Sequence, residues 1–560
     1  MNTKCLRAFA GAVTLLTLAI AAPGPLRAQH DSAERFETTT PIKHVVVIFN
    51  ENESFDHYFA TYPYATNPSG EPAFHDKKDT PRANNLLAGG LLTENPNSTQ
   101  PFRLDPTTGN VTCDQNHSYT PEQASFNHGL MNKFPEETGS GSSASSPCYD
   151  AGKGTGIVMG YYDGNTVTAL WNYAQHFAMN DNSFSTIFGP SAPGAINVIA
   201  GTTANITGSA TTPNGTAISS YAGTIAGGGA NGTLIGDARP FYDDCTFSTP
   251  GLAKSTPASF PSSSQNIGNL LSAKGITWGW FQGGFRPTSV NAKGLAVCGT
   301  HNVGYAGDDA TTQSSDGDYI PHHQPFQFYE STANIHHTAP TRSLIGQDET
   351  GVNHQYDFTN GPGQTFNTNN DFWHALEDGH LPAVSYLKAG AYQDAHPGYS
   401  DPLDEQIFIV QTINKLMKSK EWDSMAIIIA YDDSDGWYDH QMDPIVNQSS
   451  SATDDVLTDP GMCGATPSTD VPGRCGYGPR QPLIVISPYA KQNYIDHRLT
   501  DQSSIVRFIE DNWNLGRIGG DSSDVKAGSL LGMFDFEEHH ERASRLLLHP
   551  STGEVLSQGW

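Results

Sequence analysis

Residues 45–56 read VVVIFNENESFD: five consecutive apolar positions, Val45–Phe49, run straight into a cluster of amides and acids, Asn50–Asp56. The same design recurs far downstream, where Ala426–Ala430 (AIIIA) leads into Tyr431–Asp432–Asp433–Ser434–Asp435–Gly436. Strands that are apolar at consecutive positions, rather than alternate ones, are covered on both faces, as in the parallel sheets of α/β proteins. A third run, Pro482–Ile486, has the same character and is read as another buried parallel strand. Helical patterns lie between these runs, over Thr168–Ala178, Asp404–Trp422 and Gln502–Trp513; in the last, Ile505, Phe508, Ile509 and Trp513 share one face. Strands alternating with helices predict an open α/β fold with a mostly parallel sheet.

In open α/β sheets, ligands collect beyond the carboxyl ends of the strands. If the first two strands are parallel neighbours, Glu51, Asn52, Asp432 and Asp433 meet at one rim. Carboxylates that meet repel one another unless a cation or a proton intervenes. Three acids and an amide oxygen make an oxygen-only set, suited to one divalent ion such as Ca²⁺, Mg²⁺ or Mn²⁺ better than to zinc. Taken singly, each acidic pair reads more readily as a helix cap or a solvated strand end than as a metal site.

The whole chain has 560 residues, 37% hydrophobic and 10% aromatic, and suits a globular protein with a large core. Lys4 and Arg7, an apolar run from Ala8 to Ala22 and the turn Pro23–Gly24–Pro25 form the pattern of a secretory signal. Cleavage after Ala28 would leave residues 29–560 as a single domain. The protein is therefore expected to be secreted or periplasmic, with no transmembrane anchor. With 58 Asp and Glu against 30 Lys and Arg, its surface repels nucleic acid and anionic membranes. A site for an anionic substrate then needs strong local positive charge.

Cys5 leaves with the signal, and six cysteines remain. An even number in an exported chain predicts disulfides rather than zinc, since no CxxC spacing is present. Six cysteines allow fifteen pairings; neighbour pairing (113–148, 245–298, 463–475) closes the shortest loops. Residues 135–147 and 202–235 are rich in Gly, Ser, Thr, Ala and Asn and are read as surface loops or an insertion, the second reaching to about residue 260. LDPTTGNV (104–111) and LHPSTGEV (548–555) are turn-forming and predict small hairpins.

The segment ENESFDHYF (51–59) resembles the ENxSFDxxFG signature of the phosphoesterase family that contains bacterial phospholipases C and the AcpA-type acid phosphatases. Further motifs follow in order: FGPSAPG (188–194), WGWFQGG (278–284), DYIPHHQPF (318–326), HPGY (396–399), YDDSDGWYDH (431–440), PLIVISPYAK (482–491) and SSIVRFIEDNW (503–513). The resemblance runs from about Pro41 to Phe536. It implies an alkaline phosphatase-like fold, a central sheet sandwiched by helices with the site at the strand ends. It also implies Glu51, Asn52, Asp432 and Asp433 as metal ligands.

Ser191 precedes an apolar stretch, Ala195–Ala200, that reads as a helix, with Pro193 suited to its first turn. Backbone N–H groups at a helix start stabilise an anion. From the residues alone Ser191 is a helix cap; the resemblance implies the nucleophile. A serine hydroxyl needs activation, and a metal supplies it where no His–Asp partner is evident. No GxSxG elbow is present, which weighs against a lipase.

Among 21 histidines, the family context singles out His117, His322, His323 and His396. Protonated, they would offset phosphoryl charge and donate a proton to the leaving group, with His396 or His323 as the acid; this implies a rate maximum below neutrality. Asp114 is placed to orient His117. Asp439 and His440 match a family motif with a structural role as an equal reading, and His539–His540 are read as surface. The family's phospholipases C have threonine at the nucleophile position in a GPTxPNR-like setting, whereas this chain has Ser191-Ala-Pro-Gly. That departure favours an acid phosphatase acting on small-molecule monoesters over a phospholipase C acting on phospholipids. A secreted cation-binding or adhesive protein without turnover is the reading from a different class.

Overall fold

Two of the expected strands lie side by side at the centre of an eight-stranded sheet: β1 (His44–Asn50) pairs in parallel with the strand Met425–Tyr431, Val45 opposite Ala426 and Asn50 opposite Tyr431. Every residue of both strands is buried. Consecutive Val and Ile therefore contribute on both faces, each fully buried side chain worth about 1.5–3 kcal/mol.

The computed structural model describes residues 33–106, 111–209, 211, 221–248, 256–304, 317–347, 353–361, 365–464, 471–537 and 545–559, with Met1. The signal pattern, His539–His540 and residues 107–110 of the first expected hairpin lie outside the described residues. In chain order the other strands of the sheet are β2 (Ala178–Asn180), β3 (Trp278–Gln282), β4 (Gln355–Asp357), β5 (Val384–Lys388), β6 (the Met425–Tyr431 strand), β7 (Leu483–Ile486) and β8 (Tyr494–Asp496). Their order across the sheet is β4-β3-β5-β1-β6-β7-β2-β8.

The third expected strand is present but reversed. β7 runs antiparallel to β6, with Ile427 opposite Ile486 and Ile429 opposite Ile484, and antiparallel to β2 on its other side. The remaining pairs are parallel. Burial on both faces makes a strand uniformly apolar in either direction, so composition could not report its orientation. The reversal carries the segment after β7 to the end of the sheet away from the acidic loops.

The helices that matter are α1 (Phe55–Phe59), α2 (Thr168–His176), α3 (Ser191–Ala200), α4 (Asp371–Asp378), α5 (Pro402–Met417) and α6 (Ser503–Trp513). α5 starts two residues before the expected Asp404 because Asp401 caps it, its carboxylate accepting from the Leu403 and Asp404 N–H groups with Pro402 in the first turn. Helices cover both faces. Trp280 and the neighbouring Tyr386 point one way, where the Tyr386 hydroxyl reaches the Val198 carbonyl of α3. Phe281, one residue on, points the other way onto Phe372 of α4. The expected mixed α/β architecture with a central, mostly parallel sheet is thus the observed one.

The Gly/Ser/Thr-rich stretch is not simply loop. Ala204–Gly208, Ile225–Ala226, Gly232–Leu234, Arg239–Pro240 and Pro257–Ser259 form a separate five-stranded sheet. The second expected hairpin is formed, Arg545–Leu548 against Val555–Gly559. All three disulfides pair neighbours: Cys113–Cys148, Cys245–Cys298 and Cys463–Cys475.

Candidate functional site

Because β1 and β6 are parallel and end level, the residues after Asn50 and Tyr431 emerge together. The two loops are stitched to each other: Asn52 N–H donates to Asp432 Oδ1 at 3.0 Å, Glu53 N–H to the Asp433 carbonyl at 2.9 Å, and Asp432 N–H to the Asn50 carbonyl at 3.2 Å. Asn52 has a φ of 58°, a left-handed conformation that asparagine tolerates. Its amide nitrogen donates to Asp435, which leaves its carbonyl oxygen free to face the cluster.

Ser191 opens α3, and its Oγ lies 2.9 Å from Glu51 Oε2, 3.0 Å from Asp433 Oδ2 and 3.5 Å from Asn52 Oδ1. A hydroxyl has one proton, so it satisfies one of these acceptors; the rest bring lone pair against lone pair. Oxygens of Glu51, Asp432 and Asp433 lie within 4.8 Å of one another. Asp432 Oδ2 is buried without a hydrogen-bond partner. A cation among these oxygens would relieve both faults, and the donor set fits a hard divalent ion. The four residues named from the resemblance as ligands are therefore brought together, with Ser191 against them.

The electrostatics follow from burial. Burial and the charge of Glu51 push Asp432 up to about 6, and burial and Asp432 push Asp433 well above the usual carboxylate range. For Glu51 burial acts upward as the largest single influence, but the Lys388 ammonium together with Asp432 and His396 holds the carboxyl below its ordinary value. Ser191 is 1% exposed and Glu51 fully buried, whereas the side chains of His117 and His322 are 13% exposed. The polar cluster opens to solvent on its histidine side.

All four histidines surround this cluster. His323 Nδ1 lies 2.8 Å from Glu51 Oε1, and its ring meets that of His322 edge-on at 4.4 Å. Burial and Lys388 press His323 well below the ordinary histidine range; burial and Arg239 do the same to His322. Protonation of these two is thus disfavoured, and the expected set of charged histidines is corrected to that extent. His117 is the opposite case. Burial works against its charge, but Asp433 and Asp435, the latter 3.2 Å away, hold it well above its ordinary value. Asp114 lies 3.6 Å from the same nitrogen. His396 Nδ1 lies 2.6 Å from the Pro397 carbonyl, and its ring stacks on Tyr399 and sits 6.0 Å from that of His117.

Asp439 and His440 do not join the cluster. They form a buried network with Asp56 and Arg480: the Arg480 guanidinium straddles Asp439, and His440 Nδ1 lies 2.5 Å from Asp56. This network fixes α1 to the loop after β6.

Three neighbours of the site were not legible in the sequence. Lys388, the last residue of β5, is paired with Glu51 and lies 4.0 Å from Asp432. Its signal was the strand VSYLK entering a loop with Asp394 and His396. Asp237 accepts from Ala192 N–H at 3.0 Å in the first turn of α3. Glu122 accepts from Gly189 N–H at 2.8 Å and Ser434 Oγ–H at 2.9 Å, joining the loop before Ser191 to the one after Asp433. Nothing in their local sequence marks these two.

Acidic loops at the ends of two parallel strands thus converge on a serine that starts a helix. The chain belongs to the Phosphoesterase family, whose model matches residues 42–516. It is 24% identical over 489 residues to a non-hemolytic phospholipase C of Burkholderia pseudomallei (strain K96243), covering 86% of this chain and 56% of that protein. It is 23% identical over 534 residues to phospholipase C A of Mycobacterium tuberculosis (strain ATCC 25618 / H37Rv), covering 92% of this chain and 81% of that one. The chain thus spans little more than half the length of the Burkholderia relative. Among solved structures it is similar to a protein in the alkaline phosphatase superfamily from Vibrio parahaemolyticus, at 11% identity over 76% of each chain with a TM-score of 0.24.

Proposed function

We propose that the protein is an exported phosphoesterase that hydrolyses phosphate monoesters through Ser191. The observation that carries this reading is the Ser191 hydroxyl, at the start of α3, in contact with carboxylates of both loops. Glu51, Asn52, Asp432 and Asp433 would hold one divalent ion. When bound, such an ion lowers the pKa of the serine hydroxyl and draws charge from the phosphoryl oxygens.

In this reading Ser191 Oγ attacks phosphorus, forming the Oγ–P bond as the ester P–O bond breaks. The serine proton passes to a carboxylate it already touches. The His117 imidazolium faces the phosphoryl charge, while the Ala192 N–H at the start of α3 is engaged by Asp237. The leaving alcohol takes its proton from His396, whose Nδ1 is engaged with Pro397 and whose Nε2 is left for the transfer. His323 is the weaker candidate, being held neutral with Nδ1 on Glu51. Water then hydrolyses the phosphoserine. A charged His117 does not require acid, so the expected rate maximum below neutrality loses part of its basis.

Export is supported by the signal pattern and by three disulfides, which persist in oxidising compartments. No helix among the described residues is long and apolar enough to cross a membrane.

A second reading, cleavage of a choline phospholipid, is favoured by the names of the relatives. One assay separates the readings: incubation with p-nitrophenyl phosphate and with p-nitrophenylphosphorylcholine, each with and without chelator. Chelator-sensitive colour from the first alone supports the monoesterase. Colour from the second alone supports the phospholipase C, and colour from neither a binding protein without turnover.

A further inference from the structure

We propose that Lys388 sets the charge of the ion this site accepts, by standing as a built-in third positive charge beside a divalent metal. The inference rests on the reading of Glu51, Asn52, Asp432 and Asp433 as the ligands.

Three parallel strands end together at the site. β1 delivers Glu51 and Asn52, β6 delivers Asp432 and Asp433, and β5, on the other side of β1, delivers Lys388. The Lys388 side chain is 1% exposed; its Nζ is paired with Glu51 Oε1, lies 4.0 Å from Asp432 Oδ2 and sits over the Phe49 ring. A lysine this buried loses its hydration, and it does so to lie among oxygens offered to a cation. The three ligand carboxylates, Glu51, Asp432 and Asp433, carry three negative charges; one divalent ion brings two positive charges and Lys388 the third, with Asp394 a further buried acid beside Glu51 and His323. His117, farther out, is matched by Asp435. Lys388 repels a trivalent ion at this position more strongly than it repels a divalent one.

Lys388 also holds Glu51 in position. With Oε1 taken by Lys388 and His323, Oε2 is left facing Ser191. Charge and positioning separate experimentally. Lys388→Gln keeps a hydrogen-bond donor without the charge, and Lys388→Arg keeps the charge.

The test is competition between Tb³⁺ and Ca²⁺ for the purified full chain, read by terbium luminescence, with an Asp432→Asn/Asp433→Asn variant setting the background from other acidic surface. The expected result is that Lys388→Gln shifts the Tb³⁺:Ca²⁺ affinity ratio at least tenfold toward Tb³⁺, while Lys388→Arg stays within about threefold of the parent. An unchanged ratio in Lys388→Gln overturns the proposal. If the parent itself shows no Ca²⁺ or Mn²⁺ binding above background, the underlying ligand assignment fails instead. Should Lys388→Gln fold poorly without metal, refolding yield in Tb³⁺ against Ca²⁺ reads the same preference. Better rescue by Tb³⁺ supports the proposal, and equal rescue overturns it.

Discussion

Gly194, in the first turn of α3, lies directly against Asp432: a Cβ at position 194 would fall 2.1 Å from the Asp432 carbonyl oxygen. The nucleophile helix and the loop after β6 therefore approach as closely as backbone allows, and only glycine permits it. This contact sets how near Ser191 comes to Asp433.

Gly194→Ala reports on that approach. Inside a helix this change ordinarily stabilises by up to about 1 kcal/mol. Here overpacking against backbone should instead cost roughly 1–3 kcal/mol. Moving Ser191 away from the carboxylates should lower kcat by roughly tenfold or more. Denaturant melts and steady-state kinetics check both; a stabilised, fully active variant would show that the helix has room.

Ser191→Ala should abolish turnover of every phosphate ester the parent cleaves, with the melting temperature kept or raised, since it removes a crowded oxygen and leaves the helix intact. Residual turnover near the parent rate would move the nucleophile elsewhere.

Glu122 gives a pH dependence. Burial pushes its carboxyl up to about 8. Its folded value thus lies above its unfolded one, so the unfolded chain gives up the proton first. Native stability falls as pH climbs from about 4.5 to about 8, with a slope approaching ~1.4 kcal/mol per pH unit from this group. Glu122→Gln mimics the protonated acid and should flatten that slope in metal-free protein, while Glu405, pushed up to about 7 by burial, keeps part of it. Urea melts at pH 5, 6.5 and 8 measure this; parallel curves for parent and variant would contradict it.

Arg480 is fully buried and donates to Asp439 and to the carbonyls of Asn84 and Asp181. Arg480→Met leaves the buried Asp439 without its cation, while Asp56 keeps His440, and removing one partner of a buried ion pair costs about 3–5 kcal/mol. Arg480→Lys should recover only part of it, because an ammonium cannot reproduce the fork. Equilibrium unfolding reads the cost, and a neutral Arg480→Met would mean the network is dispensable.

What the chain disclosed in advance follows from which features are local. Val45–Phe49 and Ala426–Ala430 announced themselves because burial on both faces removes alternation, and the acids after them were in plain view. The cysteine pairing followed from loop closure. The direction of β7 was hidden because the same burial erases any trace of orientation. The small sheet within residues 204–259 was hidden because strands of two to five residues are too short to show a period. Lys388, Glu122 and Asp237 owe their place to tertiary packing: each is one ordinary charged residue until β5, the Gly189 loop or α3 is set beside it.

Anomalous scattering from crystals grown with Mn²⁺ decides whether a cation joins the two acidic loops beside Ser191. One strong peak is expected, bonded to oxygens of Glu51, Asp432 and Asp433 and next to Ser191 Oγ. A well-ordered crystal showing no peak there, or a peak only at another acidic cluster, would contradict it.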